Sequence, residues 1–327
     1  MRSVLSRVGT SILLVWLVIS LLFVLLRAAP GEPVQFMLPP GATAEEEARL
    51  TAELGLDAPL LVQYVRWVRR TISGDMGESF SQRRPVIDVI AGALPVSLFL
   101  GLTSLTLTFI IGVALGIVQA ARLGSKMDTS LTIITTAVYA APSFWLSLTL
   151  IAVFTWGAAT LGMPAWARLP AFGMQDPAAD LAGFARVLDF TRHAILPVAV
   201  LTVIGAAGIA RYSRNSVADV VGLDFVRTAR AKGVPRSGIY FRHVLANILP
   251  PLVVLVALSL PGVVSGAVFV ESVFAWPGMG RTMIQAISAR DYPLVLGIAL
   301  IYGTIVIFAN LVADLLLPVV DPRRRRE

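Results

Sequence analysis

The chain contains no cysteine and only two histidines among its 327 residues, and only 14% of the residues are charged. Without cysteine there can be no disulfide, thiol nucleophile or thiolate metal ligand. A soluble globular domain has about 25% charged residues, whereas 56% of the residues here are hydrophobic. These proportions indicate an integral membrane protein and make an oily soluble domain a remote alternative.

The sequence also lacks the motifs of a self-contained ATPase or metalloprotease. It has no GxxxxGK[ST] phosphate-binding loop and no HExxH pair. The two histidines, His193 and His243, fall at opposite ends of the predicted membrane layer, which argues against a shared metal site. Ser143 follows a proline inside an apolar stretch and is interpreted as a packing residue or as a partner for backbone groups freed at a helix break, not as a nucleophile. We therefore predict no catalytic, metal-binding or cofactor-binding residue in this chain.

Six apolar stretches are long enough to cross a bilayer, which takes about 20 residues. They are roughly 8–26, 94–121, 130–160, 194–213, 244–270 and 293–315. Prolines lie within or near four of them, and transmembrane helices tolerate such breaks where neighbours satisfy the freed backbone groups. The glycines at Gly112 and Gly116 suit close packing of helices. The sequence thus predicts an all-α membrane protein with six transmembrane helices.

The basic residues predict the orientation of these spans, because short cytoplasmic loops carry an excess of Lys and Arg. They concentrate in four regions that fall on one side of six spans: Arg2 and Arg7, Arg122 and Lys126, the seven basic residues of 211–242, and Arg323 to Arg326. We expect both termini on that cytoplasmic side. The same loops account for the net charge of +7 without nucleic acid, since aromatic residues do not alternate with the basic ones.

These spans divide the chain into four predicted regions. They are the N-terminal end with the first span (1–27), an external loop domain (28–93), a core of spans two to six (94–317) with a cytoplasmic loop at 214–243, and a basic cytoplasmic tail (318–327). The first span could be a signal peptide. However, Leu26-Arg27-Ala28 is a poor cleavage site, so we interpret the span as retained.

The external loop is predicted to be folded. Thr43 and Glu46 form a capping-box pattern that opens a helix ending near Gly55. A second helix is expected to start at Pro59 and end at Gly74, with apolar residues at helical spacing. Those apolar positions are Leu61, Val65, Val68 and Ile72. The stretch from Arg84 to Gly92 is predicted to be a surface helix that leads into the second span.

The cytoplasmic loop contains a short helix with clear ends. The pattern predicts a helix from Asp224 to Lys232, because Gly233 suits a left-handed C-terminal residue and Pro235 blocks continuation. Five basic side chains accompany the single acid Asp224, namely Arg227, Arg230, Lys232, Arg236 and Arg242. Two interpretations stay open: a loop that only sets topology, and a helix presented to a soluble protein.

The centres of all six spans lack Asp, Glu, Lys and Arg. Glu271 and Asp314 lie only at the ends of spans five and six. Ion-coupled transporters and charge-selective pores usually place ionisable groups within the membrane. If the protein moves a solute uphill, its energy must therefore arrive through a contact with another protein, and the loop at 222–250 is the best candidate surface.

The order of motifs along the chain resembles the permease subunits of bacterial ABC importers for dipeptides and oligopeptides, in particular the subunit with a large first external loop. The motifs are LGLDAPLLVQYVRWV (54–68), GDMGESF (74–80), LPVSLFLGLTSLTLTFIIGVALGI (94–117), APSFWLSLTLI (141–151), DFVRTARAKGV (224–234), RHVLANILP (242–250), VFVESVFAWPGMGRTMIQAISARDYPLVLG (268–297) and ADLLLPVVDPRRR (313–325). Together they cover the chain almost from end to end.

This resemblance implies a type I ABC importer fold in a bacterial cytoplasmic membrane. It implies as partners a second homologous permease, two ATPase subunits that bind ATP and magnesium, an external substrate-binding protein, a peptide substrate and membrane lipids, with no cofactor in this chain. Relatives of this family also carry nickel chelates, glutathione or other small solutes. A stand-alone channel, a secondary carrier and a membrane enzyme are the alternatives of other classes.

The resemblance also implies two sets of site residues. An ATPase-coupling helix would comprise Asp224, Phe225, Arg227, Thr228, Ala229, Arg230, Ala231, Lys232 and Gly233. An external gate, or a dock for the binding protein, would comprise Trp276, Pro277, Gly278, Gly280, Arg290 and Asp291. The alternative for the WPGMG segment is an ordinary turn packed on span five.

The coupling motif departs from the general importer pattern, which begins Glu-Ala-Ala. Here Arg227-Thr228-Ala229 stands in those places, and Ile248-Leu249-Pro250 represents the later Ile-x-Leu-Pro only loosely. Asp224 is a candidate for the role of the missing Glu. Phe225 is expected to be an aromatic anchor in the ATPase groove, with insertion into the bilayer surface as the alternative.

Overall fold

The protein is all helical in the part of the chain that the computed structural model describes, which is residues 2–28, 43–53, 57–158, 160–235, 238–265 and 267–320. An isolated β-bridge joins Glu78 and Pro85. The α-helices are α1 (Arg2–Ala28), α2 (Ala44–Glu53), α3 (Leu60–Ile72), α4 (Val86–Ala121), α5 (Lys126–Ala140), α6 (Ser143–Ile151), α7 (Gly183–Val221), α8 (Asp224–Ala231), α9 (Leu245–Ser265), α10 (Val268–Val273), α11 (Met279–Ser288) and α12 (Tyr292–Val320). Short π-helical turns follow α6 at Ala152–Trp156 and precede α9 at Ile239–Val244, and a 3-10 turn covers Ala165–Ala167.

Five helical stretches are long and apolar enough to cross a membrane, and α5 with the α6 segment makes a sixth if that bent pair is one span. The five stretches are Ser6–Leu25, Val86–Ala121, Gly183–Val221, Arg242–Leu260 and Tyr292–Leu315. The predicted number of spans is therefore reached, although several helices are longer than their apolar centres. The helix α7, for example, extends well beyond the predicted 194–213 at both ends.

The third predicted span, 130–160, is broken at Pro142, one of the prolines at which a helix break was allowed. The helices before and after Ala141 and Pro142 meet at a bend of 103°. Ala141 has extended backbone angles, φ −73° and ψ 132°, because a residue that precedes proline is sterically disfavoured in the α conformation. The predicted fifth span, 244–270, is also interrupted, since α9 ends at Ser265 and α10 begins at Val268.

The chain divides into two compact units, residues 1–95 with 282–311, and residues 96–281 with 312–327. The core of the first unit joins Ile19 and Leu22 of α1 to Leu296 and Leu300 of α12. The external-loop helix α3 packs against α1, and its Tyr64 hydroxyl hydrogen-bonds Ser20 Oγ at 2.7 Å. The described helix α3 of this segment is thus packed on the long helix α1.

The details of the external loop match the sequence at two points and differ, wholly or in part, at two others. Thr43 caps α2 as predicted, since the Glu46 amide donates to Thr43 Oγ1 at 3.3 Å, and Gly74 ends the next helix with φ +84°. Of the predicted apolar stripe of α3, Val68 packs against the cluster of α1 and α12, whereas Leu61 is 73% exposed. The expected surface helix 84–92 is the first part of α4, which continues through Pro95.

Some sequence predictions fall outside the described residues. These are the helix stop at Gly55, the basic side chain of Arg236, residues 29–42 of the external loop and the tail Arg323 to Arg326.

In the second unit, α4 and α7 pack at small residues, as the glycine spacing predicted. A Cβ on Gly116 would lie 2.5 Å from Ser213 Cβ and 2.7 Å from the Ala210 carbonyl oxygen, and one on Gly112 would lie 2.7 Å from Ile209 Cβ. Contacts this short leave no room for a side chain. Small residues let helix backbones approach closely in a membrane, where van der Waals packing replaces the hydrophobic effect as the driving force.

We expect Gly116→Leu to destabilise the protein by about 1–3 kcal/mol, because overpacking forces the two helices apart. Gly92→Leu is the matched control, since a Cβ on that helical glycine has no atom within 4 Å. The measurement is the thermal unfolding midpoint of the purified protein in detergent. Equal midpoints for the two variants would contradict the close approach of α4 and α7.

Candidate functional site

The predicted cytoplasmic helix is present as α8, one residue shorter than expected. It runs from Asp224 to Ala231, and Lys232 is its C-cap. Gly233 has φ +77°, a left-handed conformation that glycine adopts without the steric penalty of a Cβ. The Gly233 amide donates to the Arg230 carbonyl at 3.0 Å and the Val234 amide to the Ala229 carbonyl at 3.2 Å. The helix and its glycine stop are confirmed, while their role in coupling stays a prediction.

One face of α8 is bound to the rest of its unit. Val226 is fully buried and Ala229 is 7% exposed. They belong to a core cluster with Val217 of α7 and with residues of the following π turn and α9, namely Ile239, Val244, Ile248 and Leu252. The helix α8 therefore rests on the ends of the two long helices that it connects.

The sequence reasoning grouped Phe225 with Ala229 on one face, and the structure separates them. Ala229 is buried, but Phe225 is 39% exposed, so the anchor inside this chain is Val226. That role was missed, although the spacing of Val226 and Ala229, three residues apart on an otherwise polar helix, is a signal for a buried edge. Phe225 remains available to a partner or to the bilayer surface.

The other face of α8 is exposed and mainly basic. Its exposed residues are Asp224, Phe225, Arg227, Thr228, Arg230 and Ala231, followed by Lys232 and Gly233. Arg227 Nη1 lies 3.4 Å from Asp224 Oδ1, with the side chains 74% and 95% exposed. A pair this exposed contributes little to stability. The charges of this face are therefore available for a partner with acidic groups.

An ion pair joins α7, near the end that precedes α8, to the first turn of α5. Arg214 donates from Nε and Nη2 to the two carboxylate oxygens of Asp128, both at 2.7 Å. The Gly124 amide also donates to Asp128 at 2.9 Å, and Ser125 caps α5 by accepting from the Asp128 amide. This bidentate pair fixes the start of α5 to α7. The sequence analysis did not identify it; the signal is an acid and a base at the predicted inner ends of two spans.

The WPGMG turn is largely buried in the second unit. Trp276 has no exposed surface; its ring lies parallel to Phe99 at 6.3 Å and tilted against Phe190 at 5.6 Å. Gly278 and Gly280 are also buried, whereas Pro277 is exposed. Of the predicted gate residues in this turn, Pro277 is therefore the one at the surface, and Trp276 is a core residue that sets the shape of the turn.

A buried carboxylate, Glu271, organises this turn. It has no exposed surface and accepts hydrogen bonds from Ser97 Oγ at 2.6 Å, from the Gly280 amide at 2.8 Å and from the Arg281 amide at 3.1 Å. Ser97 Oγ in turn accepts from the Met279 amide at 2.7 Å. The first amides of α11, which have no partner within the helix, are thus satisfied by one acid and one serine, in the field that favours a negative charge.

The glycines of the WPGMG motif, Gly278 and Gly280, leave the space that the Glu271 carboxylate occupies. A Cβ on Gly278 would lie 2.4 Å from the carboxyl carbon of Glu271, and one on Gly280 would lie 2.6 Å from Val268 Cα. No other residue type fits at Gly278 without moving the acid. The sequence analysis noted Glu271 only as a charge at the end of a span. The signal for its role was an acid within the apolar run VFVESVF, a few residues before two glycines.

The second predicted external acid, Asp291, is buried in the first unit. It accepts from Ser79 Oγ at 2.6 Å, from the Ser81 hydroxyl at 2.6 Å and from the Ser81 amide at 2.9 Å. It also accepts from the Leu294 amide at 3.3 Å, at the start of α12. Burial pushes the pKa of the Asp291 carboxyl up, but these hydrogen bonds outweigh it and hold the pKa below its ordinary value. The neighbouring Arg290 is exposed, with φ +54°.

The two predicted sites therefore differ in what they offer. The helix α8 presents an exposed face, while the external residues mostly form internal ties between motifs that are far apart in sequence. In the described part of the chain, no group of three or more His, Asp or Glu residues is arranged to hold a metal ion. The buried polar side chains around Glu271 and around Asp291 hydrogen-bond nearby backbone amides and so hold those backbone segments in position.

We expect Glu271→Gln to lower stability by about 1–3 kcal/mol. The amide group of Gln replaces one acceptor oxygen by a donor, which leaves a buried N–H or hydroxyl opposite another donor. The exposed acid Glu78 provides the control Glu78→Gln. Thermal unfolding in detergent measures the difference, and a Glu271→Gln midpoint equal to that of the control would contradict the capping role.

We expect Asp291 to make stability depend on pH in the acid range. Its folded pKa lies below its unfolded pKa, about 3.9, so its contribution is present above pH ~4 and is lost as pH falls through the folded pKa. Asp291→Asn should therefore lower the unfolding midpoint equally at pH 7 and pH 5, and by less below pH ~4. Asp57→Asn, at an exposed position, is the control. A difference that grows on acidification would overturn the assignment.

Comparison with known proteins assigns the family. Residues 112–326 match the family described as binding-protein-dependent transport system inner membrane component, and residues 1–101 match the N-terminal family of the same membrane components. The fold is similar to a chain in an inward-facing structure of the MetNI methionine ABC transporter, with a TM-score of 0.51, 19% identity, and coverage of 71% of this chain and 96% of that one.

Curated relatives match over nearly their whole length. The oligopeptide transport system permease protein AppB of Bacillus subtilis is 35% identical over 302 residues, 92% of each chain. The dipeptide transport system permease protein DppB of Escherichia coli K12 is 34% identical over 321 residues, 94% of each chain. A putative peptide permease protein of Brucella suis is 38% identical over 306 residues, 93% of this chain and 92% of its own. The chain belongs to the family of binding-protein-dependent transport system inner membrane components and is a multi-pass permease subunit of an ABC importer.

Proposed function

We propose that the chain is one of two homologous permeases in an ATP-driven importer of dipeptides or oligopeptides. It would lie in the cytoplasmic membrane of a bacterium, with both termini in the cytoplasm. Two observations support the substrate class: the relatives that match more than 90% of this chain are named for dipeptide and oligopeptide transport, and the resemblance of its motifs points to the same branch.

The observation that carries the proposal is the helix α8. It has one face buried in the permease and one exposed basic face, and it joins the ends of two long apolar helices. A helix with one face bound to the permease and the other exposed is suited to bind a soluble ATPase and to be displaced by it. Phe225 and the exposed Arg227 and Arg230 are its proposed contact residues, with Asp224 beside Arg227 at 3.4 Å.

The energy step follows from this placement. ATP and magnesium are held by two partner ATPases, because the sequence contains no phosphate-binding loop. When the ATPases close, their grooves would carry α8 with them, and the buried Val226 transmits the displacement to α7 and α9. The Asp128–Arg214 pair passes the movement on to α5. The two conformations of the permease pair then alternate access to the path, which is a population shift driven by differential contacts.

The external contact is proposed at exposed residues beside the buried acids, taken separately in each unit. In the second unit Pro277 is exposed and its neighbours Trp276, Gly278 and Gly280 are buried. In the first unit Arg290 is exposed beside the buried Asp291. Each of these exposed turns suits a contact with the substrate-binding protein or a gate element. Membrane lipids would cover the apolar residues that α1 leaves exposed, such as Ile12, Leu17 and Leu21.

The proposal is tested with the complete complex in proteoliposomes, supplied with its binding protein and labelled Ala-Ala. We expect uptake that requires ATP, the second permease and both ATPases. Uptake by this chain alone without ATP would favour a channel or carrier. ATP-dependent uptake of a nickel chelate or glutathione, with none of Ala-Ala or longer alanine peptides, would show that the substrate class is wrong.

We expect Gly233→Val to reduce peptide-stimulated ATP hydrolysis by about tenfold or more. A β-branched residue at φ +77° is strained by about 1–3 kcal/mol, which displaces the end of α8. Gly222→Val is the control, because Gly222 has φ −76°. Arg227→Glu with Arg230→Glu tests the exposed face without touching the core: it should weaken ATPase binding and leave the permease unfolding midpoint unchanged. Wild-type assembly and hydrolysis in both variants would contradict coupling through α8.

A further inference from the structure

A cavity of about 240 Å³ lies within the second unit, between α4, α7 and α9. Its walls include Gly101, Ser104 and Thr108 of α4, Gly205 of α7, and Ser259 and Gly262 of α9. Small residues of this kind are common where membrane helices pack, but here they border an open volume that the three helices do not fill. Ser104 and Gly205 fall near the middle of their helices, away from the loops at either end.

The lining is uncharged and mainly apolar, with three hydroxyl groups among its side chains. None of the residues that line the cavity is ionisable, and the remaining ones are aliphatic or, in the case of Phe109, aromatic. Such walls offer nothing to neutralise a charged terminus, a metal ion or an acidic side chain, whose transfer into a dry cavity is costly. They suit a neutral group that combines an apolar body with a hydrogen-bonding end.

Ser104 supplies an unused hydrogen-bonding group. The residue is 4% exposed, and its Oγ has no hydrogen-bond partner within the described residues. Leaving a buried hydroxyl unpaired costs free energy, and such groups normally have a protein, water or ligand partner. Thr108, one turn further on, donates only a long bond of 3.4 Å to the Thr202 carbonyl. The unsatisfied hydroxyl at the wall therefore points to a ligand that can hydrogen-bond.

The backbone beside the cavity is also interrupted. The helix α9 ends at Ser265, and α10 begins only at Val268. Gly262 and Val263, in the last turn of α9, line the cavity together with Ala267. Carbonyls of a last helical turn have no amide partner within the helix. At membrane depth such a break is tolerated where the backbone is buried in protein or lines a polar cavity.

Resting on the proposed function, we infer that this cavity is a subsite of the transport path that takes a neutral side chain of the passing peptide together with its adjacent amide. The Ser104 hydroxyl hydrogen-bonds the peptide amide, and the aliphatic walls receive the side chain. The open wall at Gly262, where a Cβ would meet no atom within 4 Å, gives the side chain its space. A lipid acyl chain could fill the volume but would leave the Ser104 hydroxyl unpaired.

The test fills the cavity without straining the helix. Gly262→Leu places a side chain in the open space, and Gly92→Leu is the matched control at another helical glycine whose Cβ position is equally open. ATP-dependent uptake of labelled Gly-Gly and Leu-Leu is measured in the reconstituted complete complex at saturating binding protein. We expect Gly262→Leu to lower Leu-Leu uptake about tenfold while Gly-Gly uptake changes less than twofold. Gly92→Leu should alter neither.

A second variant tests the hydroxyl. Ser104→Ala removes one neutral hydrogen bond, so we expect the concentration for half-maximal uptake of both dipeptides to rise roughly three- to tenfold. The amide is common to both, which is why the two should shift together. An unchanged concentration dependence for both peptides would overturn the role of Ser104, and equal effects of Gly262→Leu on both would overturn the side-chain subsite.

The occupant is identified by cross-linking. A diazirine-labelled dipeptide, trapped during turnover, should label the segments 101–109 or 259–267. Labelling of these segments by a photoreactive phospholipid, and not by the dipeptide, would overturn the inference. The inference would also be overturned if Ser104→Cys formed a cross-link to the second permease and uptake continued unchanged. If the wild-type complex takes up neither dipeptide, the proposed function fails instead; if it takes up both and the variants behave as wild type, only the subsite fails.

Discussion

The structure depends on one constraint: in the hydrocarbon layer, every backbone N–H and C=O needs a partner inside the protein. This constraint makes the described spans helical and confines irregular backbone to a few places. The two breaks within apolar stretches, at Pro142 and between Ser265 and Val268, lie where proline or a helix end frees backbone groups. The second break borders the Ser104 cavity. One of the two breaks within apolar stretches therefore lies beside the volume that is proposed to accommodate a solute.

Buried acids serve the same constraint at the ends of helices. Glu271 satisfies the first amides of α11, Asp291 satisfies an amide at the start of α12, and Asp128 lies in the first turn of α5 and is paired with Arg214. Each carboxylate also takes a bond from a segment distant in sequence, so each one fixes a helix end and a long-range contact at once. A buried pair of this kind is weak support for stability but is costly to break from one side. These three carboxylates therefore fix the contacts between segments that otherwise pack through apolar side chains.

The parts of this arrangement that are local in sequence could be predicted, and the parts that depend on partners could not. The α8 helix and its stop at Gly233 follow from capping and glycine chemistry within ten residues, and the spans follow from hydropathy. Which side of α8 is buried depends on where α7 and α9 end, so the burial of Val226 does not follow from the sequence of α8 alone. The role of Glu271 required knowing that Ser97, 174 positions away, would lie beside it. The break at Pro142 was underestimated, because membrane prolines are often absorbed into a continuous helix, as happens at Pro95 and Pro197.

The proposed coupling and the proposed subsite are connected by two helices. The α8 helix is covalently joined to α7 on one side and, through the π turn, to α9 on the other. Gly205 of α7 and Gly262 of α9 both line the cavity, and about 24 Å of helix separates Gly205 from the end of α7 at 1.5 Å per residue. In the proposed coupling, the Asp128–Arg214 pair ties α7 to the start of α5 within that stretch, so a displacement of α8 would be shared by α7 and α5. Close contacts at Gly112 and Gly116 of α4 would carry α4 along. On this proposal, a short basic helix outside the membrane would change the width of an uncharged cavity inside it, without any charge having to enter the membrane.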